Sequence, residues 1–136
     1  MLDRGPDATN LPDCAAHHTA FLAYSPLAQG LLTGKIGPDR LFPVGDQRRT
    51  KPRFSSANRA KAAALLAEIT PIADAHSLSL GQLAIAWAVA QPGCTHALVG
   101  ARSPAQVVEN AAAGRANLTP ANLAVIDRAL RTHDVL

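Results

Sequence analysis

A chain of 136 residues has room for one domain, and a 48% hydrophobic content is ordinary for a globular one. A net charge of +3 with scattered Lys and Arg gives no basic stripe of the kind nucleic acid requires. The nearest approach, Arg48-Arg49-Thr50-Lys51-Pro52-Arg53, reads as a solvated loop. No run nears the ~18 apolar residues of a membrane span, no leader peptide is recognised, and Cys14 and Cys94 stand far apart. The expectation is a soluble cytoplasmic protein without structural disulfides or membrane contact.

In chain order, residues 1–10 are polar, include Gly5 and Pro6, and are expected to be disordered, which leaves 11–136 as the folded domain. Leu11–His18 reads as the end of a helix. Phe21-Leu22-Ala23 is a short apolar run, consistent with a buried parallel strand near Ala20–Tyr24. Ser25–Ser56 holds most of the Gly and Pro and reads as a long loop. Asn58 is the expected cap of a helix through Ala60–Thr70, which Pro71 breaks or kinks. Ser79 and Gln82 form a capping box that opens Leu80–Ala90, and Pro92-Gly93 ends it. Thr95–Val99 is a second strand. Ser103 caps a helix that starts at Pro104, has Gln106 as its capping-box partner and closes on Gly114. Thr119-Pro120 opens a last helix with Leu123, Ile126 and Leu130 on one face. Strands alternating with helices argue for a parallel α/β architecture. Two strands alone leave unpaired edges, which invite self-association.

Two segments carry candidate chemistry. Gly100-Ala101-Arg102-Ser103-Pro104-Ala105-Gln106-Val107-Val108-Glu109-Asn110 leaves a strand and opens a helix. Its glycine admits a ligand close to the backbone, its arginine is a planar cation suited to phosphate, and a helix N-terminus presents free N–H groups. The alternative is a capped surface helix beside a solvated arginine. The second segment runs from Phe21 to Lys35. Its Gly30-Leu31-Leu32-Thr33-Gly34-Lys35 is no P-loop, because only three residues separate the glycines and Ile36 follows the lysine. No G-x-G-x-x-G occurs. His17 and His18 are adjacent and diverge on a helix, and there is no H-E-x-x-H, so no metal ligands are assigned. Trp87 reads as core and His76 as a helix terminator.

Taken together, the two segments resemble the seventh- and eighth-strand regions of the aldo-keto reductase family. Arg53-Phe54, Ala75-His76-Ser77 and Gln82-Leu83-Ala84-Ile85-Ala86-Trp87 agree between them. The resemblance runs from about Leu11 onward and corresponds to the carboxy-terminal part of that family's barrel. It implies an α/β fold, a carboxy-terminal fragment of a (β/α)8 TIM barrel with about two strands plus helices, where a whole barrel takes about 250 residues. It also implies NADP as cofactor and assigns each contact. Tyr24 stacks on the nicotinamide, Ser25, Leu27 and Gly30 line the pyrophosphate, and Lys35 and Arg53 reach phosphates. Arg102 and Gln106 form the 2′-phosphate side, Gly100 and the Ser103 helix start are further cofactor contacts, and Glu109 and Asn110 face the adenine. The implied parent reaction is reduction of an aldehyde or ketone by hydride transfer from NADPH. The family's catalytic Asp, Tyr, Lys and His lie on earlier strands, so no catalytic residue is assigned here. The expectation is a truncated, inactive reductase that meets a carbonyl substrate only as the full-length parent. The alternative is a non-catalytic nucleotide-binding or interaction module.

Overall fold

A computed structural model describes residues 1–136. Five helices and two strands follow one another: α1 (Asn10–Ala16), β1 (Leu22–Tyr24), α2 (Ser56–Ala75), α3 (Leu80–Val89), β2 (His96–Leu98), α4 (Pro104–Ala112) and α5 (Pro120–His133). The strands pair in parallel, Leu22 with His96, Ala23 with Ala97 and Tyr24 with Leu98. Successive strand residues alternate between faces. Ala23 packs on the core, whereas Leu22, Tyr24, His96 and Leu98 are exposed. The strands are therefore buried on one face only. The full burial expected of β1 fails because the sheet has two strands and helices cover one side of it.

The core lies between α2, α3, α5 and the turn after β1. Leu31, Leu32, Leu65, Ile69, Leu83 and Ile126 are its largest fully buried side chains. Helix α3 opens on the expected capping box: Gln82 N donates to Ser79 Oγ (3.2 Å), and Ser79 N donates to Gln82 Oε1 (2.8 Å). Trp87 is buried on α3. Helix α5 opens on a similar box at Thr119 and Asn122 and lies along α2, with Ile126 and Ala129 buried between them. His76 ends α2, as expected, with its ring nitrogen 3.0 Å from Asn122 Oδ1.

Four expectations change. Ser55, not Asn58, caps α2, through Asn58 N to Ser55 Oγ (3.2 Å). Asn58 is instead buried, donating to Arg53 O (2.7 Å) and accepting from Leu136 N (3.0 Å). Pro71 does not end α2, which continues to Ala75. The proline ring faces solvent, and buried Ile69, Ile72 and Ala73 hold the flanking turns on the core. Gly114 is not a left-handed cap, because a 3-10 turn, Ala113–Arg115, finishes α4. Finally, the first ten residues have a place. Gly5–Ala8 forms a 3-10 turn, and Arg4 bonds to Asp7 and to Asp127 of α5 (2.9 Å). The Arg4 guanidinium also lies 4.9 Å from the Trp87 ring centre. Polar composition suggested disorder, but a single arginine ties this segment to two helices. The long segment Ser25–Ser56 is likewise ordered, by 3-10 turns at Ala28–Thr33, Gln47–Arg49 and Pro52–Phe54. Arg59 clamps its middle, donating to Gly37 O (2.8 Å) and Arg40 O (2.6 Å).

Candidate functional site

Parallel pairing of Tyr24 with Leu98 brings the loops after β1 and β2 to the same end of the sheet. The loop after β1 is tightly wound. Ser25 (φ 51°), Ala28 (φ 48°) and Gln29 (φ 56°) all occupy the left-handed region, each at a cost on the order of 1–3 kcal/mol. Gly30 (φ 93°) takes a position there that a side chain tolerates poorly. Three bonds hold the winding: Ala28 N to Ser25 O (2.9 Å), Gly30 N to Leu27 O (2.9 Å) and Thr33 Oγ1 to Gly30 O (2.7 Å). The Tyr24 ring is 86% exposed, and Lys35 is exposed.

A second loop braces this one. Arg48 forms a fork on Asp46 (2.6 and 3.0 Å) and also donates to Gln29 O (3.4 Å), while Lys51 Nζ reaches Gln29 Oε1 (3.2 Å). The fork, aided by the Arg48 backbone N–H and more weakly by Arg102, lowers the Asp46 carboxyl to about 2. The folded-state value lies below the unfolded ~3.9, so the fork is fully present above about pH 4 and is lost as pH falls through about 2. Carboxyl-carbon NMR titration checks this. In Arg48→Ala the Asp46 midpoint is expected to return to the ordinary aspartate range, and an unmoved midpoint would refute the assignment.

At the other loop, Gln106 N donates to Ser103 Oγ (3.3 Å), as a capped helix requires. The Gln106 side chain accepts from Arg102 N (2.7 Å), one residue further back than a capping box would place it. The expected box therefore does not close on Ser103, and the bond fixes the Arg102 backbone instead. The Arg102 guanidinium is exposed and enters no ion pair. A Cβ at Gly100 would meet nothing within 4 Å, so no protein atom fills the space beside it.

The sequence-derived set divides. Tyr24, Ser25, Leu27, Gly30 and Lys35 leave β1, while Gly100, Arg102, Ser103 and Gln106 leave β2 at the same sheet end. Glu109 turns toward α3, accepting from Ser79 Oγ (3.1 Å), and Asn110 donates back to Gly100 O (3.4 Å). Arg53 Nε donates to Leu136 O (2.7 Å), and Arg53 lines, with Tyr24 and Ser25, a cavity of about 640 Å³ along β1 that includes neither Arg102 nor Lys35. That cavity was not legible in the sequence, because residues 1–11 form one of its walls. Between them, the two loops and the end of β1 carry donors that suit a dinucleotide: a free guanidinium, an ammonium, a helix N-terminus and an open aromatic face.

Comparison with known proteins gives this arrangement a context. The profile of the aldo/keto reductase family matches residues 1–131. The chain is 36% identical over 122 residues to the NADH-specific methylglyoxal reductase of Escherichia coli, covering 90% of this chain and 37% of that protein. It is 30% identical over 131 residues to the NADP(+) aldo-keto reductase yakc of Schizosaccharomyces pombe, covering 96% of this chain and 38% of that one. A glycerol dehydrogenase from Gluconobacter oxydans superposes with a TM-score of 0.88 at 33% identity, over 96% of this chain and 40% of its own. The chain thus spans about two fifths of the length of these relatives. Its two strands and packed helices are an α/β piece of the TIM barrel that such enzymes form. This chain belongs to the aldo/keto reductase family.

Proposed function

We propose that this chain forms the phosphate-holding part of an NADP(H) site in a reductase of aldehydes or ketones, and that alone it binds the cofactor weakly without turning it over. The observation that carries this reading is the pairing of an unengaged Arg102 with the Ser103-capped start of α4. An arginine there offers bidentate bonds to a 2′-phosphate, which only NADP carries. Ser25, Leu27 and Gly30 would line the pyrophosphate, Lys35 would meet a phosphate as a point charge, and Tyr24 would lie against the nicotinamide. Gly100 would let the ligand approach the backbone, and Glu109 and Asn110 would border the adenine after turning from their present partners. Arg53 is the weakest member, because its Nε is already engaged by Leu136 O. When bound, the cofactor supplies the hydride, and this chain's residues hold and orient it.

The two named relatives divide on cofactor, one NADH-specific and one NADP(+), so the choice rests on Arg102. The same reading includes the cytoplasm as the site of action, and no helix here is long and apolar enough to cross a membrane. Titration of NADPH and NADH against the chain and against Arg102→Ala tests it. Expected are a dissociation constant no tighter than about 1 mM for NADPH, weaker binding of NADH, and loss of the difference in the variant. Binding should fall with added salt, because exposed charges are screened. Equal affinity for the two cofactors, or an unaffected variant, would refute the role of Arg102.

A further inference from the structure

Arg59, early in α2, is a buried cation without a carboxylate partner. It is 8% exposed, enters no ion pair, and its Nε has no hydrogen-bond partner. Its charge is met by two backbone carbonyls, Gly37 O (2.8 Å) and Arg40 O (2.6 Å), and by the ring of Phe42, whose centre lies 5.5 Å from the guanidinium carbon. Taking a guanidinium out of water is costly, and an apolar side chain of similar size would fill the position without that cost. Filling the core is therefore not what this arginine is suited to do.

Its contacts lead to the loop after β1. Phe42 stands edge-on to buried Phe54, with ring centres 5.6 Å apart and planes at 87°, and this fixes the Phe42 ring on the core. The same ring carries a second guanidinium, that of Arg48, at 4.8 Å. Asp46 offsets the Arg48 charge, so the two cations can share one ring. Arg48 then donates to Gln29 O (3.4 Å), and Lys51 Nζ donates to Gln29 Oε1 (3.2 Å). Gln29 is left-handed (φ 56°) and keeps that shape only while its surroundings hold it. The holding groups form one connected set, Arg59 to Phe42 to Arg48 to Gln29. It lies wholly within residues 29–59 and uses neither sheet edge.

We propose that Arg59 is a positioning residue for the loop after β1: acting through Phe42 and Arg48, it holds Gln29 in the shape that this loop presents to a cofactor. The cofactor half of the statement rests on the reading of that loop as a pyrophosphate contact, and the loop-holding half does not. Amide exchange and urea unfolding of the full chain test the latter. In Arg59→Met the Ala28 and Gly30 amides, which bond to Ser25 O and Leu27 O, should exchange at least roughly tenfold faster. The urea midpoint should hold or rise, because the buried unpaired charge is gone. Phe42→Leu should reproduce the loosening, since it keeps apolar bulk but removes the ring face. Arg59→Lys should recover most of the protection, because an ammonium can still donate to both carbonyls. Wild-type exchange at Ala28 and Gly30 in Arg59→Met would overturn the proposal. So would a lysine variant no better than the methionine one, or a lowered midpoint with exchange speeded equally through α3 and α5, the mark of a merely structural residue. For the cofactor half, NADPH and NADH titrated against Arg59→Met should both bind about three- to tenfold more weakly, with their ratio unchanged. Arg102→Ala instead alters the ratio, so the two roles fail separately. Unchanged affinity beside a loosened loop would overturn the cofactor half alone.

Discussion

Assayed alone with NADPH and a reactive aldehyde, the 136-residue chain is expected to show no turnover above background. Carbonyl reduction needs a proton donor held against the developing alkoxide, and losing such a group typically costs about 10²–10⁴-fold. The chain has one tyrosine, Tyr24, and its ring is 86% exposed. A group so open to water has no fixed partner to tune or aim it. The chain also covers only 37–40% of its named relatives, and the family resemblance puts the catalytic residues on strands outside that share. The measurement is NADPH consumption with matched carbonyl product. Sustained turnover that survives repurification and disappears in Tyr24→Phe would overturn the expectation and give Tyr24 a catalytic role.

Gly93→Ala is expected to have the largest effect on the fold. A Cβ at that position would sit 2.3 Å from Leu11 O and 2.9 Å from Leu11 C, atoms of backbone that cannot swing aside. The residue is also left-handed at φ +87°, which costs an alanine about 1–2 kcal/mol. Either the turn before β2 moves or α1 leaves it, and both outcomes expose Leu11, whose burial contributes about 1.5–3 kcal/mol. The expected loss is about 2–4 kcal/mol in urea unfolding, with faster amide exchange over residues 1–16. A stability within about 0.5 kcal/mol of wild type would refute the close packing described for Gly93.

The two edges of what the sequence can disclose are visible in these residues. The capped helices α3, α4 and α5 were legible because Ser79, Ser103 and Thr119 act on N–H groups three residues away. Parallel pairing was legible too, because short apolar runs separated by helices have few other arrangements. Pro71 misled because its local penalty is outweighed by the burial of Ile69 and Ile72, contributed by distant partners. The first ten residues misled for the same reason: Arg4 finds its acceptor 123 positions along the chain. For the site, the two motifs follow β1 and β2, whose parallel pairing puts their loops at one sheet end. They gave no warning that Arg53 would turn to Leu136, or that Gln106 would bond behind its cap to Arg102. Those orientations follow from the packing of α2, α5 and the loop ends, which spacing does not encode.

The three left-handed residues after β1 have a consequence for time as well as energy. A chain segment wound against its own preference stays wound only while its surroundings hold it, so its shape is completed when the protein folds. A ligand that binds beside this loop would find that work already done. Encounter there needs no slow closing step, and the observed association rate should rise in simple proportion to ligand concentration without reaching a plateau. The penalty for ordering this loop is then part of the protein's own stability rather than of the ligand's affinity.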